Sequence, residues 1–271
     1  MAEPQRQRPE SDHREDRPKI AIRGLRKSFG PKVVLDGVDL EVAQGESMVI
    51  IGASGTGKSV LLKHIIGLLR PDAGSVEVDG VAVAGLDNRS LTEFRRKFGM
   101  SFQEGALFDS MSVAQNVAFP LQRLTKKSKD EIRQRVEECL SLVQLPGIGD
   151  RLPSQLSGGM RRRVGFARAI AQQPEILLFD EPTTGLDPVT TAQINEVIVD
   201  INDGLKATTV TITHDMESAY RIADRIAMLD RGKIIAVAPP KEFRELPDPR
   251  VQQFLHGRAQ GPLTEEARES A

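Results

Sequence analysis

The sequence predicts an α/β fold: a parallel-sheet core with an antiparallel β subdomain before it and an α-helical subdomain inserted into it. Three observations carry this prediction. The runs SMVIIG (47–52), ILLFD (176–180) and TVTIT (209–213) are short and continuously apolar, as strands covered on both faces are. Between them lie stretches whose apolar residues recur three and four apart, the spacing of a helix with one buried face. Strict alternation, the mark of half-buried strands, is confined to the amino-terminal part of the chain.

Residues 1–18 hold nine charged residues and three prolines with almost nothing to bury, and are expected to form a disordered tail. Val38, Leu40 and Val42 then alternate with Asp39 and Glu41, predicting a strand. Residues 75–83 alternate on both sides of Asp79-Gly80, a two-residue hairpin turn. Leu61, Leu62, Ile65, Ile66 and Leu69 share a helical face after Lys58. Ile132, Val136, Cys139, Leu140 and Val143 share another after the charged stretch 126–131. The helical insert is placed at about 104–172, the main ordered unit at 19–245, and a carboxyl-terminal extension at 246–271 that frays from Gly261 onward.

Composition limits the classes of function. The chain has 271 residues, with 37 Lys+Arg against 38 Asp+Glu and a formal charge of −1. This balance gives no reason to expect nucleic acid as a main partner. A single cysteine, Cys139, rules out an internal disulfide and fits a reducing compartment. No apolar run approaches the ~20 residues of a membrane-spanning helix, and the first residues carry no apolar signal region. The expectation is a cytoplasmic protein whose membrane role comes through a partner.

Three stretches carry chemistry. Gly52-Ala53-Ser54-Gly55-Thr56-Gly57-Lys58-Ser59 fits G-x-x-x-x-G-K-[ST] in full, after a buried-strand pattern and before an amphipathic helix. Its glycines let backbone N–H groups wrap phosphates, Lys58 would reach the β- and γ-phosphates, and the Ser59 hydroxyl would ligate Mg²⁺. The fold class is then a P-loop NTPase (RecA-like). Asp180-Glu181 closes the apolar strand 176–180, so Asp180 is suited to hold Mg²⁺ and Glu181 to polarise the attacking water. Leu156-Ser157-Gly158-Gly159-Met160 precedes a helical run and forms a second anion-binding helix start. One nucleotide needs one cradle; a second makes sense if it completes the site of another copy.

With these residues in place, the chain resembles the ATP-binding cassette family over roughly residues 20–240. LSGGM looks like the family signature, Gln103 stands where the Q-loop glutamine does, and Gly185-Leu186-Asp187 matches the D-loop. His214 matches the switch histidine, and Phe29 is similar to the aromatic that stacks on adenine. The resemblance implies a head-to-tail homodimer with ATP between the P-loop of one copy and Ser157, Gly158, Gly159 and Met160 of the other. It also implies hydrolysis by Glu181 as base, with His214 near the γ-phosphate and Gln103 beside Mg²⁺. Two departures stand out. Val60 replaces a hydroxyl residue, which costs about 0.5–1.5 kcal/mol of α-phosphate contact. Met160 replaces the usual signature glutamine. Arg161, Arg162 and Arg163 are read as a solvated or dimer-facing helix turn rather than a nucleic-acid patch.

QEGALF (103–108), LSGGM and the tail DPRVQQFLHG (248–257) are further similar to Mla-type phospholipid-transport ATPases. That resemblance implies an ATPase peripheral on the cytoplasmic face of the inner membrane. Its implied partners are an MlaE-like integral permease, an MlaD-like periplasmic lipid-binding subunit and an MlaB-like small cytoplasmic regulator. Leu107, Phe108, Met111 and Val113 either line a groove for a permease helix or pack within the insert. Val251, Phe254 and Leu255 are candidates to dock on a partner or a second copy. The competing readings are a small-solute importer ATPase, a soluble non-transport cassette ATPase and a small-molecule kinase, the last having no use for LSGGM.

Overall fold

The structure, a computed structural model, describes residues 17–102 and 105–264. The expected tail 1–18 therefore falls almost wholly outside the described residues, as do Gln103, Glu104 and residues 265–271. Two long antiparallel strands open the chain, β1 (Ile20–Phe29) and β2 (Lys32–Val42), followed by β3 (Ser47–Ile51) and α1 (Lys58–Ile65). Next come β4 (Ala73–Val78), β5 (Val81–Ala82), α2 (Asn88–Arg95) and β6 (Phe98–Ser101). Three helices form the insert region: α3 (Val113–Leu124), α4 (Lys129–Leu142) and α5 (Gly158–Ile170). The chain then runs through β7 (Ile176–Asp180), α6 (Pro188–Leu205), β8 (Thr208–Ile212), α7 (Met216–Ile222), β9 (Arg225–Asp230) and β10 (Lys233–Ala238). It closes with α8 (Pro240–Glu245) and α9 (Pro249–Leu255).

The strands make two sheets. One is antiparallel, in the order β2-β1-β4-β5; the other has the order β10-β9-β3-β8-β7-β6 and is parallel except for its β9–β10 pair. The three continuously apolar runs become β3, β7 and β8, three adjacent central strands. Their alternate side chains feed two cores. Val49, Ile51, Leu177 and Phe179 face the helical side, while Met48, Ile50, Leu178 and Val210 face α1 and the antiparallel sheet. Because β3, β8 and β7 run the same way, their carboxyl ends open on one edge, where ligands of such sheets bind.

Ion pairs tie the sheets together. Lys19 bridges Asp79 at 2.8 Å and Glu175 at 2.5 Å, and Asp79 also pairs with Lys97 just before β6. On the other side the Asp36 amide donates to the Gly232 carbonyl at 2.8 Å.

The hairpin turn is as the alternation predicts, with Asp79 at φ 53° and Gly80 at φ 75°, both left-handed as a primed turn requires. Its second strand is shorter than expected: it ends at Ala82, and Val83 turns inward to open a 3₁₀ turn. Cys139 is buried, and burial pushes its thiol up to about 11. α3 begins with a capping box, in which Ser112 and Gln115 exchange hydrogen bonds, and this fixes Val113 as a fully buried first-turn residue. Val113 therefore belongs to the core rather than to a groove, whereas Phe108 stays 40% exposed.

The extension differs most from expectation. Val251 of α9 is fully buried in the main core, with Phe254 and Leu255 packed against it, so these residues dock on their own chain. Gln253, also buried, accepts from the Leu263 amide at 2.8 Å and donates to the Arg258 carbonyl at 3.1 Å, holding a segment expected to fray. Among the described residues no helix is long and apolar enough to cross a membrane.

Candidate active site

Only glycine fits the turn after β3. Gly52 has φ 154°, and a Cβ there would run into the Leu229 carbonyl of β9; Gly57 has φ 104°, and its Cβ would lie 2.9 Å from the Val34 carbonyl. The loop thus closes tightly and leads straight into α1. Lys58, the first residue of that helix, is buried. Its ammonium donates to the carbonyls of Gly52 at 2.7 Å and Ala53 at 3.0 Å. Burial lowers its pKa, against the attraction of Glu181 and Asp180. The Thr56 hydroxyl donates to the Ala53 carbonyl at 3.0 Å and completes the loop's floor.

Asp180 and Glu181 leave β7 in different directions. The Ser59 hydroxyl donates to Asp180 Oδ1 at 3.2 Å, and desolvation raises the Asp180 pKa despite that bond. This pair of hard oxygen donors, half-buried at a phosphate loop, fits a magnesium ion. Glu181 is left-handed at φ 51°, and its amide donates to the Ile212 carbonyl at 2.9 Å, fastening the turn to the end of β8. Its carboxylate is gripped from three sides. Thr184 Oγ1 donates to Oε2 at 2.8 Å, His214 Nδ1 lies 2.8 Å from the same oxygen, and Lys58 Nζ is 3.8 Å from Oε1.

These groups line a cleft of about 720 Å³. Phe29, at the end of β1, forms its outer wall with half its surface exposed and the Lys27 ammonium 5.7 Å from its ring centroid. Ser54, Gly55, Gly57, Lys58, Ser59, Val60, Asp180, Glu181 and His214 also line it. Gln103 lies outside the described residues. Ser157, Gly158, Gly159 and Met160 do not line the cleft. Ser157 is exposed and caps α5, accepting from the Met160 amide at 3.2 Å, while a Cβ on Gly159 would lie 2.5 Å from Thr190 Cγ2. Asp187 caps α6 and is likewise outside the cleft; the Thr190 hydroxyl and nearby amides hold its carboxyl below the usual range.

Sequence reasoning missed Thr184, Lys32 and Val34. Thr184 stands three residues after Glu181, the reach of a tight turn, and that spacing was the available signal. Lys32 and Val34 enter only because β2 folds beside the loop. Of the three arginines after the signature, Arg161 is exposed, as a solvated turn predicts, Arg163 is half-buried and Arg162 is buried. Arg161 bonds the Leu156 carbonyl, Arg162 the carbonyls of Pro182 and Thr184, and Arg163 the Gln144 carbonyl.

Residues 35–184 match the ABC transporter family. A "Probable ribonucleotide transport ATP-binding protein mkl" of Mycobacterium leprae is 45% identical over 90% of this chain and 70% of its own length. The "Intermembrane phospholipid transport system ATP-binding protein MlaF" of Haemophilus influenzae is 41% identical over 90% of this chain and 92% of its own length. Among solved structures, the dimeric post-hydrolysis state of the ATP-binding cassette MJ0796 bound to ADP and Pi is 34% identical. It covers 82% of this chain and 98% of its own, with a TM-score of 0.74.

Proposed function

This chain belongs to the ABC transporter family and is an ATPase, and on that premise we propose that it drives the movement of phospholipids between two membranes. The observation that carries this reading is the likeness to the Haemophilus phospholipid-transport protein, which runs through nearly all of both chains. The mycobacterial relative carries a ribonucleotide name but extends well beyond the matched part, so a small-solute cargo is the second reading.

In this proposal two copies lie head to tail, each ATP held between loop 52–59 of one and residues 157–160 of the other. The unit 19–245 is the cassette and 246–271 its extension. Lys58 leaves the Gly52 and Ala53 carbonyls for the β- and γ-phosphates, an exchange favoured because its buried ammonium trades neutral acceptors for charged ones. Phe29 offers a face to the adenine. Bound Mg²⁺ supplies charge neutralisation on the phosphate oxygens; Ser59 and Asp180 would hold it, with Gln103. Glu181 takes the proton of the attacking water, and His214 and Thr184 fix the carboxylate that receives it. His214 then stands at the γ-phosphate side of the cleft.

In this proposal the chain works at the cytoplasmic face of the inner membrane, with an MlaE-like permease, an MlaD-like lipid-binding subunit and an MlaB-like regulator. A second groove of about 550 Å³, walled by Phe102, Phe108 and Phe119, offers apolar surface for a permease helix. The decisive experiment purifies the membrane complex that forms on this chain, extracts what it holds, and follows labelled phospholipid between vesicles. Bound phospholipid and ATP-dependent transfer are expected. A lipid-free complex whose ATPase responds to a ribonucleotide would replace this reading with the second.

A further inference from the structure

Arg162 lies in α5, two residues after the Ser157–Met160 helix start, and is only 8% exposed. A buried guanidinium needs acceptors for its donors. Here Nη1 donates to the Pro182 carbonyl at 3.1 Å and Nη2 to the Thr184 carbonyl. Both carbonyls belong to the short turn after β7. That turn holds Glu181 in its left-handed conformation, and its Thr184 hydroxyl holds the Glu181 carboxylate. The first turn of α5 is itself pressed onto the start of α6, since Gly159 leaves no room beside Thr190. The Arg162 side chain therefore joins the helix that begins at this exposed start to the turn that aims the carboxylate.

We infer that Arg162 is a positioning residue for hydrolysis: it sets the Glu181 turn according to where α5 sits. This deepens the proposed function and rests on Glu181 being the base. In a head-to-tail dimer, the helix that grips the partner's nucleotide would thereby also adjust the carboxylate serving its own chain's nucleotide. The planar fork of arginine suits the task because it spans two carbonyls two residues apart, which a lysine ammonium, a point donor, cannot do with fixed geometry. Its Pro182 and Thr184 partners belong to the turn that carries Glu181, so its effect falls on turnover rather than on binding.

The test uses the full chain in its assembled complex, with Arg162→Gln, Arg162→Lys and Thr184→Val, each with and without Glu181→Gln. Arg162→Gln should lower kcat about 10- to 100-fold, the scale of a misaimed catalytic group. KM and the affinity for a labelled ATP analogue should stay within about threefold. Arg162→Lys should recover part of the loss, and Thr184→Val should reproduce its kcat selectivity. In the Glu181→Gln background neither change should lower the residual rate further, because the group they act through is gone. A multiplicative further loss there, or a loss in affinity with kcat retained, would overturn the inference. If Arg162→Gln does not fold, unchanged kcat in both Arg162→Lys and Thr184→Val overturns it equally. Normal turnover by Glu181→Gln would overturn the base assignment and the inference with it. An inactive Glu181→Gln beside a fully active Arg162→Gln would overturn the inference alone.

Discussion

The two glycine-rich helix starts of this chain are built to opposite plans. The turn before α1 is enclosed: its glycines are pressed against β2 and β9, its lysine is buried, and a 720 Å³ cleft opens above it. The turn before α5 is open. Ser157 is exposed, its hydroxyl caps its own helix, and the arginine three residues on from Gly158 points back to the Leu156 carbonyl at 2.7 Å. The first start brings a buried cation and its own walls, whereas the second offers N–H groups and a dipole on an open surface. A helix start of the second kind contributes to nucleotide chemistry only when another surface delivers the phosphate, which is the role the proposed dimer gives it.

The sharpest way to test that contrast is the carboxylate between them. Glu181→Gln should cut turnover about 10²- to 10⁴-fold, the usual worth of a general base, while ATP stays bound and the dimer accumulates in size-exclusion chromatography. Lys58→Ala acts on the enclosed start alone. Losing a charge-assisted contact of about 1.5–3 kcal/mol should weaken binding of a labelled analogue roughly 10- to 150-fold. Ser157→Ala acts on the open start. It removes a helix cap of about 1 kcal/mol, lowers stability by that amount in denaturant melts, and should leave analogue binding to the isolated chain unchanged.

The smallest effect concerns pH. Burial raises the Asp180 pKa in the ligand-free fold, so its stabilising contribution is complete below the ordinary carboxylate range and is lost as pH rises through the raised value. Asp180→Asn should therefore melt above the parent protein at neutral pH without nucleotide. The gap should close as the solution is acidified, and the variant should gain less stability from Mg²⁺ and ATP than the parent does. Equal melting temperatures across that range would show that Asp180 carries no burial penalty.

How much of this was legible in the sequence depended on whether a feature was local. The P-loop, the Asp79-Gly80 hairpin and the three central strands are each specified by a few neighbouring residues, and each appears where its pattern places it. β6 was invisible because its four residues include Gly99, which is there to let α5 approach rather than to favour a strand. The long helix α6 and the strands β9 and β10 lie outside the predicted elements, and the fate of Val251 is not encoded locally at all. Whether an amphipathic segment covers its own core or a partner's is decided by tertiary geometry. Arg162 departs from expectation for the same reason: charge in a sequence suggests solvent, and only the fold reveals carbonyls waiting within reach.

The ion pairs around Lys19 and Asp79, together with the Asp36–Gly232 bond, have a mechanical consequence. The first set fastens the start of β1, the strand that carries Phe29, and the second fastens its neighbour β2, to the sheet that carries the phosphate loop. The ring and the loop then keep a constant spacing, like the fixed jaw of a vice. Any stroke that ATP produces then falls to the helices outside these fastened sheets, and deuterium uptake on nucleotide binding should change in α3 and α4 well before it changes in β1.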